Sequence, residues 1–277
     1  MAQTGDLSSL AAVKAWLNSG NQQAYPAGSD ELLGSLITSC SKYVRSYLNS
    51  PLVPADYSER YNGSGTAALF LRNRPVVSVS SLQIGSTAVL PTSNPETPGF
   101  IFDDTRVFMP CSFFPIGTMN VLVGYTAGYQ ASAAVTIGAT SAMKTVDLSG
   151  TSQVDGFVAG PWNSDRGVTL SDGTKLQAVS GAPAAGQYQV TTDAEKNFVY
   201  NFNSAQQDAA ATLLYGYTPQ DLFEVVTELV GERYKVRSRI GQVSQNMGNG
   251  QTVSWSQKDF GDWAKTILAN YENVVPV

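Results

Sequence analysis

The spacing of apolar residues switches twice along this chain, from helical to alternating near residue 55 and back to helical near residue 218. Apolar side chains recurring every three to four residues cover one face of a helix, while alternation covers one face of a strand. The chain is therefore expected to be an α+β protein with helices towards both ends and sheet between. In the first helical stretch Leu7, Leu10, Ala11, Lys14 and Leu17 fall at helical spacing, with Asp6 the expected N-cap and Gly20 the stop. After a linker at 21–28 that contains Pro26, Ser29 is the expected cap of a second helix. Asp30 and Glu31 suit the positive end of its dipole. Leu33, Leu36/Ile37, Cys40, Val44 and Tyr47/Leu48 form its stripe, and Asn49-Ser50-Pro51 ends it.

Alternation then runs from Tyr57 to Tyr125. Expected strands are 68–71, two short runs through Val77/Val79 and Leu82/Ile84, 100–102 and 107–109 about an Asp103-Asp104 turn, and 120–125. Residues 131–214 have another texture, rich in Ala, Gly, Ser and Thr, with Lys144, Arg166, Lys175 and Lys196 as their basic residues. Runs at 135–137, 187–190, 198–200 and 212–215, separated by turn signals such as Ser171-Asp172-Gly173, fit an all-β sandwich or partial barrel. Gly124-Tyr125-Thr126 precedes this block and Gly216-Tyr217-Thr218 follows it, an echo placed where a domain inserted between a strand and a helix would begin and end. The expected division is a discontinuous helical domain with a small antiparallel β element, 1–130 and 215–277, around an inserted β-sandwich domain, 131–214.

Beyond the block, Thr218 is the expected N-cap and Pro219 the first position of a third helix that runs to about Arg239. Leu222, Val225/Val226, Leu229/Val230 and Tyr234 form its stripe. Residues 241–257 are polar and glycine-rich, the composition of a mobile loop. A last helix is expected from Lys258, ending in the apolar tail 274–277.

Several kinds of chemistry are excluded. The chain has no His, which removes imidazole acid–base catalysis, Ser-His-Asp triads and His-ligated metals. Cys40 and Cys111 match no metal or redox spacing and read as two buried, reduced thiols. Gly63-Ser64-Gly65 and Gly248-Asn249-Gly250 lack the lysine of a phosphate loop. Adjacent carboxylates on a strand point to opposite faces, so Asp103-Asp104 reads as a turn and not as a metal pair. No nucleophile has a base beside it, so neither an enzyme nor a cofactor is expected. The opening residues lack the basic and apolar regions of a signal peptide, and no apolar run approaches ~18 residues. Neither secretion nor a membrane span is therefore expected.

The charges that remain are clustered. Glu224, Glu228 and Glu232 lie at four-residue spacing on one face of the third helix, and Arg233, Lys235, Arg237 and Arg239 gather at its end. The basic group reads as a solvated helix end favoured by the dipole, as salt bridges to a neighbouring subunit, or as phosphate contacts in a nucleic-acid channel. Trp255, Phe260, Trp263, Tyr271, Val274 and Val275 are candidates for docking a neighbour, with ordinary core as the other reading. Charged residues make up only 14% of the chain, against about 25% in most globular proteins. So little charge suits a chain with much of its surface hidden in an assembly.

Taken in order, Asp6-Leu7 with Val13-Lys14 and Trp16-Leu17, then Tyr43-Val44-Arg45-Ser46-Tyr47-Leu48 and Arg60-Tyr61-Asn62-Gly63, form a recognisable pattern. It continues with Leu71-Arg72-Asn73-Arg74-Pro75-Val76-Val77, Val123-Gly124-Tyr125-Thr126-Ala127-Gly128-Tyr129, Pro219-Gln220-Asp221-Leu222, Glu228 to Lys235, and Arg239-Ile240-Gly241. The chain resembles the head–tail connector (adaptor) proteins of long-tailed bacteriophages over about 5–130 and 216–272. The resemblance implies a helical connector core assembled as a homo-oligomeric, twelve-fold ring in the virion. Such a ring docks on the portal protein, receives the head-closure (stopper) or tail-terminator protein, and passes genomic DNA without sequence specificity. It carries out no catalysis and is made in the host cytoplasm. Gly186-Gln187-Tyr188-Gln189-Val190 and the run from Tyr200 to Ala209 resemble immunoglobulin-like decoration modules, which places the insertion on the ring periphery. The alternative is a phage tail or tail-tip protein whose β domain recognises a carbohydrate or host surface, for which Trp162 and Tyr188 exposed on β loops would be the sign. A cell-wall hydrolase is a third reading, and no carboxylate pair stands out to serve it.

Overall fold

A computed structural model describes residues 5–19, 28–138, 142–144, 162–192, 198–237, 244–246, 252–254 and 261–273. Among them the helices are α1 (Leu10–Ser19), α2 (Asp30–Leu48), α3 (Gln220–Val236) and α4 (Asp262–Ala269). They share one core, in which Leu7, Val13, Leu33, Ile37, Cys40, Val44, Leu222, Val226, Val230 and Leu268 meet. The strands run β1 (Ala55–Gly63), β2 (Ala68–Phe70), β3 (Val76–Ile84), β4 (Thr87–Val89), β5 (Ile101–Phe102), β6 (Arg106–Phe108) and β7 (Gly117–Ala127). After these come β8 (Gln130–Thr136), β9 (Ala142–Lys144), β10 (Trp162–Leu170), β11 (Lys175–Ala178), β12 (Gln187–Thr192), β13 (Phe198–Phe202) and β14 (Ala210–Tyr217). The α+β expectation holds, but strand predominates and the helical core is one of three. A short hairpin of β15 (Ser244–Asn246) and β16 (Thr252–Ser254) lies within the stretch expected as a loop, whose other residues fall outside the described ones.

The helix caps differ from expectation. The backbone N–H of Ala12 donates to Ser9 Oγ at 3.0 Å, so Ser9 caps α1, while Asp6 is buried and accepts from Thr38 Oγ1. Ser29 precedes α2 without a side-chain cap bond, its hydroxyl paired instead with the Tyr234 hydroxyl at 3.0 Å. Thr218 is buried and its Oγ1 accepts from Asn163 Nδ2; Pro219 occupies the cap position of α3. In each case a tertiary partner holds the side chain that the local pattern assigns to a cap.

Two small sheets, ordered β1-β7-β3-β4 and β2-β6-β5, enclose a second core around Leu69, Leu71, Val107, Phe114, Val121 and Val123. Its polar centre is Glu59, whose Oε2 accepts from the hydroxyls of Tyr61 (2.5 Å) and Tyr125 (2.7 Å). Burial and the Glu59 acceptor push the Tyr125 phenol up to about 12, so it remains a donor. Asn73 joins this group through Glu59 Oε1 and the Tyr125 hydroxyl, and the Arg72 N–H donates to the Tyr61 hydroxyl. The neighbouring Arg74 donates twice to Asn273 Oδ1, and Asn273 in turn reaches the carbonyls of Arg72 and Leu48. The loop between β2 and β3 thereby ties the sheet to the ends of α2 and of the described C-terminal segment.

The third sheet is ordered β8-β14-β10-β11-β12-β13-β9, antiparallel except for the β11–β12 pair. Trp162 on β10 stacks on Phe198 of β13 with ring centroids 3.9 Å apart. In a flat sheet those strands would stand about 14 Å apart, at roughly 4.8 Å per strand. The sheet therefore curls over its own core of Trp162, Tyr188, Tyr200, Phe202 and Tyr215. Asp165 closes this core by accepting from the hydroxyls of Tyr188 (2.5 Å) and Tyr200 (2.8 Å).

α1 lies so close to α3 that a Cβ on Gly231 would stand 2.3 Å from the Trp16 ring. Helix propensity favours Ala over Gly by about 1 kcal/mol, but overpacking of a rigid indole costs up to about 3 kcal/mol. Gly231→Ala is therefore expected to lower Tm by about 5 °C in a thermal melt; a rise would show that α1 yields freely.

Candidate functional site

The chain's clustered charges sit on α3 because the rest of that helix is covered. Leu222, Phe223, Val225, Val226, Leu229, Val230 and Tyr234 are buried, which leaves a strip carrying Glu224, Glu228 and Glu232 and an exposed end carrying Arg233, Lys235 and Arg237. Glu224 accepts from Gln220 one turn earlier at 3.3 Å. Glu228 is half-buried beside Trp263 of α4, whose indole N–H donates to it. The structure thus brings together a candidate interface carboxylate and a candidate docking aromatic. Burial and then the neighbouring Glu232 raise the Glu228 carboxyl above its usual range, against the Trp263 hydrogen bond.

Each cation at the helix end rests on an aromatic ring. The Arg233 guanidinium lies over Tyr43 (5.3 Å to the centroid), Lys235 Nζ over Trp16 (4.5 Å) and the Arg237 guanidinium over Tyr234 (3.6 Å), with Arg237 Nη2 also donating to the Tyr234 hydroxyl. Burial pushes the Cys40 thiol up, and Arg233 partly opposes it. Tyr271 is turned inward: its hydroxyl donates to Asp221, and its ring packs edge-on against Tyr129, which meets Tyr217 in the same way. Arg239, Trp255, Phe260, Val274 and Val275 lie outside the described residues.

Other expectations are corrected. Trp162 and Tyr188, offered as exposed β-loop aromatics, are 1% and 2% exposed and belong to the core of the curled sheet, which removes the sign of a sugar-binding face. Cys40 is buried as expected, but Cys111 is exposed; both are free thiols. Asp103 serves its own turn, accepting from the Thr105 and Arg106 backbone and from Arg106 Nε. Partial burial alone would raise its carboxyl, yet those hydrogen bonds outweigh it and hold the group below the usual range. An open depression of about 620 Å³ over β8 and β14 is lined by Ala134, Val135, Thr136, Gly138, Ser171, Ala210, Ala211 and Thr212, none of them an acid or a base. Among the described residues no helix is long and apolar enough to cross a membrane.

Residues 6–144, half of the chain, match the model of a protein family described as head completion protein; the match runs from before α1 through β9. None of the curated proteins matches the sequence. Among solved structures, the chain is similar to a chain of "Virion of native gene transfer agent (GTA) particle", 18% identical, with 47% of this chain and 69% of that one covered and a TM-score of 0.34. It is similar also to a chain of "Neck of empty GTA particle computed with C6 symmetry", at 17%, 47% and 69%, with a TM-score of 0.32.

The raised Glu228 carboxyl has a sign that can be tested. A carboxyl with a higher pKa folded than unfolded lowers stability as pH rises through that interval. Glu228→Gln keeps an acceptor for Trp263 and removes the charge, so Tm is expected to rise at pH 7. The gain should vanish near about pH 3, where both states of the wild type are neutral. A gain that is the same at both pH values would mean that charge is not the cause.

Proposed function

The chain belongs to the head completion protein family, and on that premise we propose that copies of it form a closed ring, twelve-fold in number, between the portal vertex of a phage head and the head-closure or tail-terminator protein. It is a structural protein of the virion's head–tail region and not an enzyme. In this reading the genome passes through the lumen without sequence-specific contact. The family match over residues 6–144 carries the proposal.

The charge layout of α3 supports assembly of copies. A ring needs a heterologous contact, in which one surface of a subunit meets a different surface of the next. The exposed Glu224 and Glu232 and the cationic end with Arg233 and Arg237 are two such surfaces of opposite sign on one helix. We assign the curled sheet, 131–214, as an inserted module on the ring periphery, within a body formed by 1–130 and 215–277. Its first and last strands lie side by side, Gln130 opposite Gly216, so the chain leaves and re-enters the body at one place. Trp263 and the C-terminal residues Val274 and Val275 remain our candidates for contact with a neighbouring protein.

The decisive measurement is the mass of the purified protein, alone and with a portal ring, by native mass spectrometry or light scattering. About twelve copies gathered on the portal is the expected result. A stable trimer or hexamer indifferent to the portal would overturn the reading in favour of a tail protein. If the acidic strip meets the basic end of the next copy, the double change Glu224→Lys, Glu232→Lys should weaken ring formation, most strongly at low salt. Unchanged assembly would remove that pairing from the proposal.

A further inference from the structure

We propose that the segment 110–120, the loop after β6 together with the first residues of β7 and called the loop below, is a preformed apolar anchor by which one copy of the chain docks on a different surface of the next, an inference that rests on the ring reading above. Ile116 is 85% exposed, Phe113 58% and Met119 51%, so three large apolar side chains meet water on one short loop. Single exposed hydrophobics are ordinary; three on one loop are the makings of a contact patch.

The loop is held in place from below. Phe114 is fully buried as its root, and its N–H and carbonyl pair with Thr66 and Gly65 at 2.8 Å. Gly63 N–H donates to Asn120 Oδ1, Asn120 Nδ2 to the Pro115 carbonyl, and Met119 N–H to Asn62 Oδ1, each at 2.8 Å. A Cβ on Gly63 would stand 1.8 Å from the Pro115 carbonyl oxygen, so this strand-to-loop approach requires glycine. Met119 itself sits at φ 52°, in the left-handed region that side chains other than Asn, Asp and Gly seldom adopt. A loop fixed beforehand loses little conformational entropy on docking.

Charge identifies the occupant. No charged residue occurs from Val107 to Met143, nor from Tyr61 to Leu71 on the adjoining segment. Arg60, at the base of the loop, is turned onto the Met119 carbonyl at 3.4 Å. Arg60 apart, such a surface brings no positive charge to DNA phosphates. Copies of a chain with net charge −5 repel one another, and their approach is least opposed through surface that carries no charge. Three side chains fall far short of the roughly 1,200 Å² that a stable two-fold pair buries. In a ring the contact between copies is heterologous, each copy giving one loop and receiving one, with further surface around the loop completing it.

The test uses the chain in assembled rings or particles, with Ile116 replaced by p-benzoyl-phenylalanine and the cross-linked peptides read by mass spectrometry. The expected product joins the loop to a peptide of this same chain outside 107–120. Linkage to another virion protein, linkage of loop to loop, or no linkage would overturn the proposal. In parallel, Ile116→Asp should reduce ring formation about tenfold, a loss of ~1.4 kcal/mol per contact. Leu90→Asp, 76% exposed but outside the loop, should leave assembly unchanged, with Tm unaffected in both variants. Rings that persist in Ile116→Asp defeat this inference alone; a wild type that forms no ring defeats the ring reading and this inference with it.

Discussion

Nine of the seventeen residues of α3 are buried, and that burial organises the remainder of the molecule. Trp16 of α1 lies across Gly231, Leu268 and Ala264 of α4 close another side, and Phe223 reaches into the core of the curled sheet. At the crossing with the N-terminal segment, the buried hydroxyls of Ser8 and Thr227 pair at 2.7 Å, and Thr227 bonds back to the Phe223 carbonyl. A helix so enclosed admits charge only along its one open strip and at its end. Glu224, Glu228, Glu232, Arg233, Lys235 and Arg237 stand there because every other position would carry the heavy cost of a buried ion. The acidic strip is thus a consequence of packing, since it occupies the surface that packing leaves outside.

The join between the curled sheet and the body rests on polar contacts of the same economy. Gly5 N–H donates to the Asn163 carbonyl at 2.7 Å, and Tyr217 N–H donates to the Tyr129 carbonyl at 3.0 Å. Arg166 of β10 meets Asp56 of β1 at 2.6 Å. The Thr126 hydrogen bond, with burial opposing and Arg166 assisting, holds the Asp56 carboxyl below its usual range. The two Gly-Tyr-Thr copies have a packing reason of their own. A Cβ on Gly216 would strike Ser164 Oγ at 2.2 Å and Pro54 Cδ at 2.5 Å, and one on Gly124 would strike Ser81 Oγ at 2.6 Å. Both glycines let a strand pass beneath a neighbour, so close approach explains the echo without a duplicated boundary.

What the sequence makes legible follows from which interactions are local. The stripes of α2 and α3 are read correctly because helical burial repeats in register along one segment. β1 escapes notice because its inward positions include Glu59, a carboxylate that only the hydroxyls of Tyr61 and Tyr125 make tolerable inside. β3 reads as two runs because its register against β7 shifts between Val76 and Ser78 and again between Val79 and Ser81, which moves the apolar phase from Val77 and Val79 to Leu82 and Ile84. The α1 cap is misassigned because a distant partner, Thr38, holds the Asp6 side chain, whereas Ser29 does stand at the cap position of α2 with its hydroxyl given to Tyr234 instead of a local amide. At the candidate site the four-residue spacing of the glutamates is plain, while the Trp263 hydrogen bond to Glu228 depends on how α4 returns to α3 and leaves no trace in spacing. The apolar anchor loop had a signal, the uncharged run from Val107 to Met143, that secondary-structure periodicity does not weigh.

The manner in which α3 holds its cations bears on what they do. An arginine bound by a carboxylate is neutralised, and its field beyond the pair is small. One held over an aromatic face is attracted by the ring's quadrupole and keeps its whole charge. The Tyr43 and Tyr234 rings thus hold the Arg233 and Arg237 guanidinium groups without themselves neutralising them. The helix thus carries a strip of carboxylates that leads to an end of cations, in a chain with only 14% charged residues. A fixed positive end also orders less on contact than a set of free side chains, so less entropy is lost when it meets a negative surface. Acidic strip and basic end lie on one helix, so in the ring proposed above a neighbour that paired with one would present the other outward again, the repeat that a closed ring of identical subunits needs.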